Sequence, residues 1–105
     1  MKKINNKEEL EQFVKENPIA AVKWGAPWCG PCRILEKNIS EVPSEVAAFG
    51  EVDVDEVDEE LVADNHIRNI PVVQFYKNGE YVDRVVGAQT PAQLIEMAER
   101  IKKND

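Results

Sequence analysis

A short apolar run, Ile19 to Trp24, leads into Trp28-Cys29-Gly30-Pro31-Cys32, and a helical pattern follows at once. Strand, cysteine turn and helix in that order constrain the fold more than any other feature of the chain. Cys29 and Cys32 are its only cysteines. A bridge between thiols so close in sequence closes almost no loop, so it would add little stability. Chemistry explains the spacing better than stapling does. A Cys-x-x-Cys at a helix start puts one thiol at the exposed N-terminal end and the other about one turn inside. Unpaired backbone N–H groups and the helix dipole favour the exposed thiolate there. Pro31 suits the first helical turn, where its missing N–H costs nothing.

The remaining segments alternate between strand and helix patterns. Asn6 and Glu9 have capping-box spacing, and Leu10, Phe13 and Val14 recur at helical intervals until Asn17-Pro18 ends that helix. The segment Pro31 to Ser40 reads as a helix with Ile34, Leu35 and Ile39 as its apolar positions. Val46 to Val54 reads as a strand interrupted at Gly50, and Glu56 to Asn65 as a short acidic helix. Val72 to Lys77, Asn78-Gly79 and Tyr81 to Val86 form a hairpin signal, because Asn-Gly suits a type I′ turn. The last helix is capped by Thr90, carries Pro91 first and Gln93 at the capping-box position, and buries Leu94, Met97, Ala98 and Ile101. The order (β)αβαβαβ-hairpin-α predicts one α/β domain over residues 1–105. Its sheet is expected to be mixed and mostly parallel, with helices on both faces and antiparallel edge strands from the hairpin. The cysteine turn would lie at the carboxyl end of the second strand, where open α/β sheets place their sites.

Composition excludes several function classes. With 105 residues, 43% hydrophobic and 31% charged, the chain can bury one core and is too apolar for disorder. A net charge of −7 repels nucleic acid and is accounted for by solubility, so no nucleic-acid partner is expected. No apolar run approaches the roughly 20 residues that span a bilayer, so no membrane role is expected. The lysines near Met1 lack an apolar region behind them, unlike a signal peptide. The expected compartment is the cytoplasm, where free thiols persist and a Cys-x-x-Cys is more often catalytic than structural. Two cysteines and one histidine cannot supply the four N/S ligands of a closed zinc site. His66, alone before Ile70-Pro71, reads as a surface or helix-end residue. The acidic run from Asp53 to Glu60 lacks the spacing of a calcium loop and reads as a solvated helix face. Trp24 reads as core, and Trp28 as a partly exposed contact residue.

Three segments then resemble the thioredoxin family. They are Ala26-Pro27-Trp28-Cys29-Gly30-Pro31-Cys32-Arg33; Ile67-Arg68-Asn69-Ile70-Pro71 with Phe75-Tyr76-Lys77-Asn78-Gly79-Glu80; and Val86-Gly87-Ala88. The resemblance runs from about Ile4 to Ile101. It implies a thioredoxin fold with a central sheet of about five strands, and a dithiol–disulfide oxidoreductase that reduces protein disulfides. Cys29 would be the nucleophile that forms a mixed disulfide, and Cys32 the more buried thiol that resolves it. Pro71 would follow a cis bond and face the cysteines, with the Ile70 backbone pairing with extended substrate. Trp28, Gly30, Pro31, Ile70, Pro71, Gly87 and Ala88 would form the contact surface. The implied partners are disulfide-containing proteins and a flavin-containing, NADPH-dependent thioredoxin reductase. No cofactor or metal need bind the chain, and a monomer is the family expectation.

The chain departs from the family pattern beneath the cysteines. Lys23 stands where thioredoxins usually carry a buried Asp, and Glu51 where many bacterial ones carry Lys. The exchange implies a partly buried Lys23–Glu51 pair under Cys32, with Glu51 as proton relay. The alternative is a Lys23 that snorkels to solvent. Lys37 replaces a helix-kinking Pro, so the second helix is expected to be straighter or shorter. Gly25 implies looser packing beside Trp28. Two other functional readings stay open: an oxidant or isomerase on the same fold, and a non-enzymatic docking module.

Overall fold

The computed structural model describes residues 1–104. The elements are β1 (Lys2–Lys3), α1 (Lys7–Glu16), β2 (Ile19–Gly25), α2 (Gly30–Ser40), β3 (Ala48–Asp53), α3 (Glu59–Asp64), β4 (Val72–Lys77), β5 (Glu80–Val86) and α4 (Pro91–Lys103). The five strands form one sheet in the order β1-β3-β2-β4-β5. β1 and β2 both pair with β3 in parallel, and β4 is antiparallel to β2 and β5. The mixed sheet is therefore divided evenly between the two kinds of pairing rather than mostly parallel. The reason is that β4 enters beside the central strand and reverses the direction of the sheet from there on.

β2 is buried along its whole length and feeds two cores by simple alternation. Ala20, Val22 and Trp24 join Leu10, Phe13 and Val14 of α1, Leu61 of α3, and Val72 and Tyr76 of β4. Ile19 and Ala21 join Leu35 and Ile39 of α2, Val73 and Phe75 of β4, and the α4 stripe Leu94, Met97, Ala98 and Ile101. Lys23 and Gly25 share the parity of Ile19 and Ala21, which directs them toward α2.

Local chemistry sets most element ends. Asn6 Oδ1 accepts from Glu9 N–H at 2.8 Å, but the Glu9 carboxylate accepts from Asn5 N–H instead of closing a full box on Asn6. At α4 the box is complete, with Thr90 and Gln93 bonded in both directions. Asn78 and Gly79 have φ of 52° and 86°, as a type I′ turn requires.

Three expectations need correction. Gly50 does not interrupt β3; a Cβ there would lie 2.7 Å from Ile4 Cδ1 and 3.0 Å from Phe13 Cε2, so the glycine admits close packing of those side chains. Ile34 is 56% exposed, because the stripe of α2 that faces the sheet is narrow and runs through Cys32, Leu35 and Ile39. The acidic helix is shorter than expected: Asp53 ends β3, and Asp55 and Glu56 lie in the turn that follows, where Glu56 pairs with Lys3 at 3.0 Å.

Burial, reinforced by Tyr81 and opposed by Arg84, pushes the Tyr76 hydroxyl up to about 12. A tyrosine in the unfolded chain ionises near about pH 10. Between those limits the folded state holds this proton and the unfolded state releases it, so stability falls as pH rises. Denaturant midpoints measured from pH ~9 to ~12 are expected to decline, and Tyr76→Phe is expected to make the decline shallower. An equal decline in both proteins would contradict this assignment.

Candidate redox site

The site is assembled where β2 ends. Cys29 N–H donates to the Ala26 carbonyl at 3.2 Å, turning the chain out of the strand. Cys29 is then the N-cap of α2, with extended backbone, and its sulfur accepts from Cys32 N–H at 3.3 Å. The helix start therefore directs a backbone donor at this sulfur. The two cysteines are joined in a disulfide, with a Cα–Cα separation of 5.2 Å. Their exposures rank as expected, 6% for Cys29 and 2% for Cys32, but Cys29 is buried rather than exposed. Ala26, Val54 and Ile70 pack around the pair. Cys29 thus presents little of its surface to solvent.

The loop before β4 packs Ile70 against the cysteine pair, and the loop after β5 is tied to it. The Ile70–Pro71 peptide is cis, and the Pro71 carbonyl accepts from Gly87 N–H at 2.9 Å. That bond ties the end of β5 to the start of β4, bringing Gly87 and Ala88 alongside Ile70 and Pro71. Pro71 is buried and Ile70 half-buried. Trp28 is 70% exposed, and Gly30 and Pro31 are exposed at the start of α2. The indole is held from an unexpected side: Trp28 Nε1 donates to Asp55 Oδ2 at 2.6 Å. In the sequence, Asp55 is one residue of an acidic run with the pattern of a solvated helix face. Its role and that of Val54 are invisible there, because both depend on the end of β3 lying against the cysteine turn through the Val54 N–H to Gly25 carbonyl bond of 3.0 Å.

Beneath Cys32 lies a cavity of ≈ 230 Å³ lined by Lys23, Gly25, Arg33, Glu36, Glu51 and Asp53, among others. Lys23 and Glu51 are opposite residues in the β2–β3 register, and both line this space. The carboxylate within ion-pair range of Lys23 is nevertheless that of Glu36, with Nζ to Oε2 at 3.8 Å. Among the described residues Glu51 makes no ion contact with Lys23 within 4 Å, and the expected direct pair is replaced by one from β2 to α2. Lys23 is 5% exposed overall, but its ammonium has no hydrogen-bond partner among the described residues and is not a fully enclosed atom, so it reaches solvent at this cavity with its stem buried. Gly25 is also tighter than expected. A Cβ there would lie 3.1 Å from Cys32 Sγ, so the glycine makes room for the sulfur rather than loosening the turn.

His66 stands apart from the cysteine turn. It is exposed just after α3, with φ of 55°, and its carbonyl accepts from Arg84 Nη1 at 3.2 Å. Among the described residues no cluster of three or more His, Cys, Asp or Glu side chains could hold a metal ion. No helix among them is long and apolar enough to cross a membrane. What the arrangement holds is a dithiol–disulfide couple, able to exchange two electrons with another disulfide.

Comparison with known proteins agrees with this geometry. The thioredoxin family model matches residues 1–100. The chain is 37% identical over 99 residues to a thioredoxin of Mycoplasmoides gallisepticum, a match covering 92% of this chain and 98% of the relative. It is 39% identical over 89 residues to thioredoxin domain-containing protein 2 of Rattus norvegicus, covering 81% of this chain but only 16% of that longer protein. The X-ray structure of Fasciola hepatica thioredoxin is similar with a TM-score of 0.84 and 32% identity, covering 95% of this chain and 98% of that one.

Proposed function

We propose, for a chain that belongs to the thioredoxin family and is a dithiol–disulfide oxidoreductase, that it works as a single-domain reductase of protein disulfides. The observation that carries this reading is the Cys29–Cys32 disulfide at the start of α2, beside the cis Ile70–Pro71 loop. In the reduced protein the Cys29 thiolate attacks one sulfur of a substrate disulfide. A Cys29–substrate bond forms and the other substrate sulfur leaves as thiolate. The Cys32 thiolate then attacks the Cys29 sulfur, closing the internal disulfide and expelling the second substrate thiolate. Two electrons pass to the substrate, and its two thiolates take up protons. A flavoprotein reductase drawing on NADPH returns the pair to the dithiol. Neither step needs a bound cofactor.

Trp28, Gly30, Pro31, Ile70, Pro71, Gly87 and Ala88 are the proposed contact surface, with the Ile70 backbone pairing with extended substrate. Lys23 and Glu51 are the proposed proton relay for Cys32, acting through the cavity they share. The protein is proposed to act as a monomer in the cytoplasm.

Reduction of insulin disulfides tests the reading. Catalytic amounts of the protein should accelerate the reaction well beyond excess dithiothreitol alone, and NADPH with a thioredoxin reductase should replace dithiothreitol. Glu51→Gln should slow closure of the internal disulfide if the relay operates. The midpoint of the Cys29–Cys32 couple, followed by Trp fluorescence against a dithiol buffer, separates the alternatives. A strongly reducing midpoint supports a reductase, and a clearly oxidising one favours an oxidant or isomerase. No acceleration at all would favour a docking module.

A further inference from the structure

A lysine in the middle of a fully buried central strand is costly unless its charge is used or compensated. Lys23 has one ion-pair partner among the described residues, Glu36, and the 3.8 Å separation is beyond hydrogen-bond range. That partner is itself half in solvent, its side chain 56% exposed, so its hold on the ammonium is weakened by screening. The lysine stem and the cysteine sulfur both lie close to Gly25. Measured from the position a Gly25 Cβ would occupy, Cys32 Sγ lies at 3.1 Å and Lys23 Cε at 3.6 Å. Both groups border the same cavity, whose volume of ≈ 230 Å³ leaves room for the ammonium to move and for water to bridge. The charged groups facing this space are Lys23 from β2, Glu51 and Asp53 from β3, and Arg33 and Glu36 from α2.

We propose that Lys23 is a positioning cation for the Cys32 sulfur, and that Glu36 competes with that sulfur for the ammonium. With the disulfide closed, the sulfur is neutral and the ammonium rests toward Glu36. With the pair reduced, the Cys32 thiolate is the better-shielded anion, and the ammonium turns toward it. This deepens the reductase reading, because Cys32 must be a thiolate to resolve the mixed disulfide. Glu36, absent from the sequence-based site, sets how much of the lysine charge the thiolate receives.

The test uses a single thiol and requires no turnover. In full-length Cys29→Ser protein, the Cys32 midpoint is read from thiolate ultraviolet absorbance against pH. Adding Lys23→Met is expected to raise that midpoint by about one unit. Adding Glu36→Gln is expected to lower it by about half a unit, since the ammonium loses its competing partner. Lys23→Arg is expected to restore most of the loss. Opposite shifts with rescue support the proposal. Shifts of the same sign, or a midpoint that ignores Lys23→Met, overturn it. If Lys23→Met does not fold, Lys23→Gln takes its place: the Glu36→Gln shift is expected to shrink in that background, and a shift of equal size with and without the lysine charge overturns the proposal. Failure of the reductase reading would show separately, as wild-type protein that does not accelerate insulin reduction while these midpoints still move.

Discussion

Cys32→Ser is expected to cut turnover of a protein disulfide by more than about a thousandfold and to leave substrate covalently joined to Cys29. The reason is the division of labour proposed for the two sulfurs. Cys29 lies at the solvent edge beside Trp28 and Ile70, whereas Cys32 is enclosed between Gly25 and the first turn of α2. Without Cys32 the mixed disulfide has no internal nucleophile and accumulates, to be seen by mass spectrometry as an adduct that dithiothreitol releases. Cys29→Ser is expected to lose turnover to the same extent without accumulating an adduct. An adduct on Cys32 in that variant would reverse the assignment of the two roles.

Trp24→Ala is expected to destabilise the fold by about 3–5 kcal/mol, a large share of the roughly 5–15 kcal/mol available to a domain. Trp24 is fully buried on the α1 and α3 face of β2 and is the largest enclosed side chain among the described residues. Its removal leaves a void and also takes a donor from a buried polar cluster. Trp24 Nε1 donates to Gln74 Oε1 at 2.7 Å, Tyr76 Oη donates to the same oxygen at 3.2 Å, and Gln74 Nε2 donates to Asn65 Oδ1 at 3.3 Å. Every buried side-chain nitrogen and oxygen among the described residues has a partner, so this network is closed. Trp24→Phe should cost less than Trp24→Ala, since it refills most of the volume but still removes the donor. Urea unfolding of the three proteins checks the order. Equal midpoints for wild type and Trp24→Ala would mean the site collapses around the void.

The residues that react were legible because their chemistry is local. A Cys-x-x-Cys after an apolar strand and before a helix specifies both sulfurs and the cap between them. Asn78-Gly79 specifies its turn, and Thr90 with Gln93 its cap, by interactions spanning three residues or fewer. The family resemblance put Lys23 and Glu51 on neighbouring strands beneath the cysteines, but the direct pair it implied is not formed, although the two stand opposite in the β2–β3 register.

The partners that surround those residues were not legible. Lys23 meets Glu36, which lies on α2, because the side chains of β2 alternate and its odd positions face that helix. Which carboxylate a long flexible ammonium reaches is decided by helix packing over the sheet, with no trace in periodicity. Asp55 holds the Trp28 indole across 27 residues of sequence, and nothing separates it from its acidic neighbours until the end of β3 is laid against the cysteine turn. Gly25 and Gly50 read as weak points in a strand and prove to be contact points, since a missing Cβ has meaning only once the atom filling its place is known.

Short-range pattern alone carried the order of elements, the Asn78-Gly79 turn, the Thr90–Gln93 cap and the pair of sulfurs that exchange electrons. All of these rest on contacts between near neighbours in the chain. Tertiary structure alone decided how buried Cys29 is, which carboxylate the buried lysine meets, and what anchors the exposed tryptophan. Those depend on distances between segments far apart in sequence, and close packing sets such distances to within a few tenths of an ångström.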